Sequence, residues 1–155
     1  MALTVGDAAP AFSLPGTLDG VHRRYTLEEF RGQPVVLVFY PGDNTPVCTR
    51  QLNAYSSDVT MFEAVDAQIL AFSPQDLASH DGFSADQGGF AFPLLADVDK
   101  EVAEAYGVLG PMGFYRRCTF VVDGDGLVTY VSRGHAALTT FRPSEELVEA
   151  IRAAS

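Results

Sequence analysis

Cys48 sits in the stretch YPGDNTPVCTRQ, Tyr40 to Gln51, directly behind the most apolar run of the chain. Thr45-Pro46-Val47 precede it, where an extended run ends and a helical pattern begins. A cysteine in the first turn of a helix meets backbone N–H groups that have no intrahelical acceptor, at the positive end of the helix dipole. Both effects favour thiolate, the form that attacks electrophiles. A redox dithiol would read Cys-x-x-Cys, but the first position here is Thr45, whose hydroxyl cannot form a disulfide and can donate a hydrogen bond to an oxygen-bearing ligand. Pro41 and Pro46 would shield the sulfur without adding competing donors. The plain alternative is a buried cysteine acting as a small apolar side chain. The strand-to-helix switch, where α/β sheets hold their ligands, weighs against it.

The elements that must position this cysteine are legible from periodicity. FSLPGTLDGVHRRYTL has two short extended pieces around Asp19-Gly20, an N-terminal hairpin, and Thr26 with Glu29 has capping-box spacing for a short turn at LEEF. VVLVFY, Val35 to Tyr40, is apolar on both faces, as a central covered strand must be. A helix is expected from about Pro46 to Asp66, with Thr45 as N-cap, Pro46 at the first helical position, and Leu52, Tyr55, Val59 and Phe62 sharing a buried face. QILAFS, Gln68 to Ser73, is a second buried strand, and DLASHDGFSADQG a helix weakened by Gly82. FAFPLLAD is extended and broken at Pro93, DKEVAEAYG is a short helix ended by Gly107, and CTFVVDGDGLVTYVS is a hairpin. A last helix opens at Ser144 and turns Leu147, Val148 and Ile151 inward. Hairpin, then β-α-β-α, then β-β-α predicts an α/β thioredoxin-like fold: a central mixed sheet, an N-terminal β-hairpin extension and flanking helices.

The totals narrow the function further. A chain of 155 residues fits one domain, 1–155, and 47% hydrophobic with 19% charged residues reads as globular. A formal charge of −10 argues against nucleic acid or an anionic membrane as partner. The longest apolar run is too short to span a bilayer, and the N-terminus lacks the basic start and apolar stretch of a signal peptide, so a cytoplasmic location is expected. Two cysteines, Cys48 and Cys118, are too few for a disulfide scaffold or a four-thiolate metal site.

YPGDNTPVCT resembles the active-site signature of the peroxiredoxins, with Pro41, Thr45 and Cys48 in the spacing P-x-x-x-T-x-x-C. The wording around it is most similar to the branch called bacterioferritin comigratory protein, or peroxiredoxin Q. GDAAPAFSL resembles the family's opening strand, SHDGF and FPLLAD its middle, and RCTFVVDGDG its late hairpin. The resemblance implies a thiol-dependent peroxidase that reduces hydrogen peroxide and organic hydroperoxides without metal, flavin or haem. It implies that Cys48 is the peroxidatic nucleophile passing through sulfenic acid. Thr45 would bond the thiolate and the bound peroxide, Pro41 would close over the site, and Arg117 would stabilise the thiolate and the leaving oxygen. Val47 and Cys48 N–H groups would be further donors to substrate. Arg116 is the local competitor, and strand alternation lets one of the two arginines face Cys48.

The chain departs from this branch in one respect. A resolving cysteine often stands five residues after the first, and that position is Asn53; the helix DLASHDGFSADQG holds none. Cys118 is the remaining candidate, and if Arg117 faces the site Cys118 faces away, so a disulfide would need rearrangement. A one-cysteine mechanism is therefore expected, with an external thiol (thioredoxin, glutaredoxin or a low-molecular-weight thiol) as reductant, in a monomer or homodimer. A thiol–disulfide oxidoreductase and a redox sensor without turnover are the alternatives.

Other signals are weaker. His22, His80 and His135 share no metal-site spacing, and nothing in the sequence places His80 or His135 beside Cys48 as a hydrolase base. Asp123 to Gly126 is hairpin turn chemistry rather than a calcium loop. GVLGPMG lacks the Lys-Ser/Thr ending of a phosphate loop. Phe83, Phe90, Phe92 and Phe114 read as core, or in part as an apolar rim for alkyl hydroperoxides or a dimer contact.

Overall fold

The structure, a computed structural model, describes residues 3–134 and 141–154. Seven strands, β1 (Ser13–Leu18), β2 (Val21–Thr26), β3 (Val35–Phe39), β4 (Gln68–Ser73), β5 (Leu94–Ala96), β6 (Arg117–Val122) and β7 (Val128–Gly134), form one sheet in the order β2-β1-β5-β4-β3-β6-β7. The central strands β5, β4 and β3 run parallel, and β6 and β7 are antiparallel. The N-terminal hairpin pairs with the outer edge of β5. Its turn residues Asp19 and Gly20 have φ of 52° and 78°, the left-handed pair that a tight two-residue hairpin turn requires.

Five helices flank the sheet: α1 (Pro46–Ser57), α2 (Val59–Glu63), α3 (Leu77–Asp86), α4 (Glu101–Ala105) and α5 (Ser144–Ala153). Every residue of β3 is buried, and alternation divides its side chains between two cores. Val36, Val38 and Tyr40 pack with α1, α2, α3 and α5, while Val35, Leu37 and Phe39 pack with α4 and the N-terminal segment. On the second face Phe39 stacks on Phe72 at 4.5 Å and meets Phe120 edge-on at 5.6 Å.

The expected helix from Pro46 to Asp66 is two helices. Asp58, at φ −95° and ψ 15°, ends the first. The run Ser56-Ser57-Asp58 supplies polar groups that compete with the helical backbone, and Ser56 Oγ accepts the N–H of Ala91 instead. Val59 is consequently half-buried beside fully buried Leu52, Tyr55 and Phe62. The expected opening strand over GDAAPAFSL starts late, at Ser13, because Gly6 has φ 97° and Pro10 offers no N–H; only Ala8 makes an isolated bridge, to Leu127. Phe83, Phe90 and Phe92 are core as expected, but Phe114 is 67% exposed beside Met112 at 93%. Thr26 contributes half a capping box: its N–H donates to Glu29 Oε2 at 2.9 Å, while Leu27 is the N-cap.

Candidate active site

Cys48 is fully buried in the first turn of α1. Thr45 is the N-cap, at φ −94° and ψ 147°, and Pro46 follows at the first helical position. The first helical bond is Thr49 N–H to the Thr45 carbonyl, at 2.9 Å. The N–H groups of Val47 and Cys48 precede that bond and point out of the helix end.

Arg117 reaches the sulfur from the first residue of β6. Its Nη2 donates to Cys48 Sγ at 3.2 Å, and its Nη1 donates to Gln51 Oε1 at 2.5 Å. Arg117 is 6% exposed, whereas Arg116 is exposed and lies against Gly110. Two donors in this cluster, Arg117 Nε and Gln51 Nε2, are buried with no hydrogen-bond partner. Buried polar groups in native proteins are nearly always satisfied, so unspent donors beside a nucleophile mark a place for an oxygen-bearing ligand.

Thr45 makes a bond that the sequence did not announce. Its Oγ donates to the Gly42 carbonyl at 2.9 Å, a bond that closes the loop on itself. No side-chain capping bond is made. Pro41, half-buried, stands at the start of this loop, directly after β3 and Tyr40.

Cys118 is buried on the other side of the sheet. It pairs with Phe39 across β3 and belongs to the core of Leu37 and Phe39, whereas Cys48 belongs to that of Val36 and Val38. No disulfide joins the two cysteines. His80 is buried but is no base for Cys48: Nδ1 lies 2.8 Å from Asp43 Oδ2 and Nε2 lies 3.1 Å from the Leu95 carbonyl. His135 lies outside the described residues. Among the described residues no group of three or more His, Cys, Asp or Glu side chains is placed to hold a metal ion.

Residues 5–131 match the AhpC/TSA family. The chain belongs to that family, the peroxiredoxins. This peroxiredoxin is 35% identical over 147 residues to a putative peroxiredoxin of Mycobacterium tuberculosis, a match covering 87% of this chain and 91% of that protein. It is 34% identical over 151 residues to the chloroplastic peroxiredoxin Q of Oryza sativa subsp. japonica, covering 95% of this chain and 64% of the rice protein. Among solved structures it is similar to AhpC of Mycobacterium tuberculosis, with a TM-score of 0.89 and 31% identity over 99% of this chain and 94% of that one. The fold is thioredoxin-like and the peroxiredoxin is a thiol peroxidase, as its sequence led us to expect. No helix among the described residues is long and apolar enough to cross a membrane.

Two residues of this peroxiredoxin's site escaped the sequence reading. Gln51 carried a usable signal, because it is a polar residue on the same helical stripe as Cys48, Leu52 and Tyr55, all fully buried. Asp43 lies inside the same signature; beyond Tyr40, three residues before it, its partners Gln75, Ser79 and His80 lie on or just before α3, and no local pattern links them to it.

Proposed function

We propose that Cys48 is the peroxidatic cysteine and that Arg117, Gln51 and the first turn of α1 receive the peroxide. The thiolate attacks the terminal oxygen of ROOH, an S–O bond forms, and the O–O bond breaks with its electron pair leaving on RO⁻. The products are Cys48 sulfenic acid and, once RO⁻ takes a proton, the alcohol ROH, or water when the substrate is hydrogen peroxide. A lowered thiol pKa alone gives a weaker nucleophile, so speed must come from donors aimed at the peroxide oxygens. The guanidinium of Arg117 at 3.2 Å from Sγ is the observation that carries this reading. Arg117 Nε, Gln51 Nε2 and the Val47 and Cys48 N–H groups are the donors available to substrate. Thr45 accepts a hydrogen bond from the peroxide or the thiol, and Pro41 shields the site.

The cycle we infer is of the one-cysteine type. Asn53, where a resolving cysteine would stand, donates to Gln87 Oε1 at 2.9 Å, and Cys118 faces the opposite core. An external thiol attacks the sulfenic sulfur, releasing water and leaving a mixed disulfide; a second thiol displaces Cys48 and carries away the disulfide. Thioredoxin, glutaredoxin and low-molecular-weight thiols are the candidate classes, and the reducing cytoplasm, where thiols persist, is the compartment that suits them. We take residues 1–155 as one peroxiredoxin domain, acting as a monomer or homodimer.

The test is intact-protein mass over time after one equivalent of hydrogen peroxide, with the modified residue mapped. We expect oxygen addition at Cys48 much faster than on a free thiol, and none in Cys48→Ser. A Cys48–Cys118 disulfide would overturn the one-cysteine cycle. Oxidation at the rate of a free thiol would overturn the peroxidase assignment of Cys48.

A further inference from the structure

Asp43 is a buried carboxylate at the foot of the loop that carries the cysteine. Its side chain is 2% exposed, and three side chains meet it: Tyr40 Oη donates to Oδ1 at 2.7 Å, Ser79 Oγ donates to Oδ2 at 2.7 Å, and His80 Nδ1 lies 2.8 Å from Oδ2. Its backbone N–H donates to Gln75 Oε1 at 2.9 Å. His80 is fully buried, and its other nitrogen faces the Leu95 carbonyl at 3.1 Å. Both ring nitrogens thus sit within hydrogen-bond distance of protein oxygens, which fixes the ring in place.

The cost of burying such a pair is large, and the hydrophobic core of Phe83 and Tyr40 around it would be served as well by apolar side chains. What the pair does is join two segments. One is the loop from Pro41 to Thr45, whose last residues Asn44 and Thr45 are exposed, as is Pro46 at the start of α1. The other is α3, which is itself tied down on its far side: Asp81 accepts from Thr17 Oγ at 2.6 Å and pairs with His22 at 2.6 Å on the N-terminal hairpin. The loop is latched to a fixed post.

Cys48 has no exposed surface. A peroxide is small enough to meet the sulfur among the donors described above, but an external thiol must bring its own sulfur into bonding contact. The loop and the first turn of α1 have to give way for that. We propose that His80, with Ser79, is a positioning residue for Cys48: through Asp43 it latches the Pro41–Thr45 loop over the thiol, and release of this latch admits the reducing thiol. This rests on the reading of Cys48 as a cysteine recycled from outside, and it adds the groups that govern access to it.

The experiment is alkylation of the reduced protein by iodoacetamide, with each cysteine mapped by mass over time, in wild type, Ser79→Ala, His80→Asn and His80→Leu. Cys118 is the internal control, since it is buried in the other core and gains exposure only when the whole fold opens. Loss of one charge-assisted bond in Ser79→Ala should raise labelling of Cys48 by about tenfold with Cys118 unchanged. His80→Leu should raise it further, and His80→Asn, whose amide can still donate to Asp43, should restore part of the protection. Cys48 unchanged in Ser79→Ala, or Cys48 and Cys118 rising together, would overturn the latch. The readout involves no peroxide, so it stands or falls separately from the peroxidase assignment of Cys48.

Discussion

Arg117 and Cys118 are neighbours in β6 and face opposite cores: Arg117 donates to Cys48 Sγ at 3.2 Å, while Cys118 packs behind the sheet with Leu37 and Phe39. Strand alternation enforces this, because consecutive side chains leave a sheet on opposite sides. The register that brings Arg117 to Cys48 therefore turns the second cysteine away from it.

Cys118→Ala should leave the rate of Cys48 oxidation by peroxide unchanged. Deleting the buried sulfur removes packing and should cost about 1 kcal/mol of stability. Denaturant melts measure the second effect and quenched mass measurements the first, since the chain has no tryptophan to report it by fluorescence.

Arg117→Ala should slow Cys48 oxidation by about a hundredfold, the usual cost of losing a charged donor at a reacting oxygen. Arg117→Lys keeps the charge and loses the fork that holds Gln51, so it should recover only part of the rate. Gln51→Leu should lose more than Gln51→Glu, which retains an acceptor for Nη1. Arg116→Ala, on the exposed face, should stay within about twofold of wild type. Equal losses in Arg116→Ala and Arg117→Ala would contradict the site.

Thr45→Val removes the bond to the Gly42 carbonyl and the hydroxyl proposed to meet the peroxide, so about a hundredfold loss of peroxide reactivity is expected. Thr45→Ser keeps both and should remain within severalfold of wild type. An unchanged rate in Thr45→Val would remove this hydroxyl from the mechanism.

Alkaline stability should be governed by tyrosine. Burial raises the phenols of Tyr40, Tyr55, Tyr106, Tyr115 and Tyr130, five of the six tyrosines, with Tyr55 and Tyr130 pushed up to about 12. For a group raised in the folded state, the folded protein holds its proton more tightly than the unfolded chain. That stabilisation is complete below the unfolded phenol value of about 10 and is lost as pH rises through the folded values. Tyrosinate absorbance should therefore appear mainly in one cooperative step that coincides with loss of secondary structure. A gradual rise from about pH 10 in a folded protein would refute the burial of these rings.

Gln51 and Asp43 show where reading along the chain stops. Gln51 announced itself weakly, as a polar residue on a buried stripe; its bond to Arg117 joins residues 66 positions apart. Asp43 and His80 are 37 positions apart, on different elements, and no periodicity or motif relates them. The exposure of Phe114 belongs with these, since it depends on what packs nearby rather than on propensity.

The sequence by itself determined what neighbours along the chain can decide: a covered strand from Val35, a helix opened by Thr45 and Pro46, Cys48 in its first turn, and the rule that Arg117 and Cys118 part company. These follow from steric preference, capping and alternation, which act over a few residues. Only the tertiary structure decided that Arg117 also holds Gln51, that the Thr45 hydroxyl closes its own loop, and that a buried Asp43–His80 pair anchors it. The order β5-β4-β3-β6 sets those distances, and strand order is settled by burial of whole faces, which no local stretch of sequence contains.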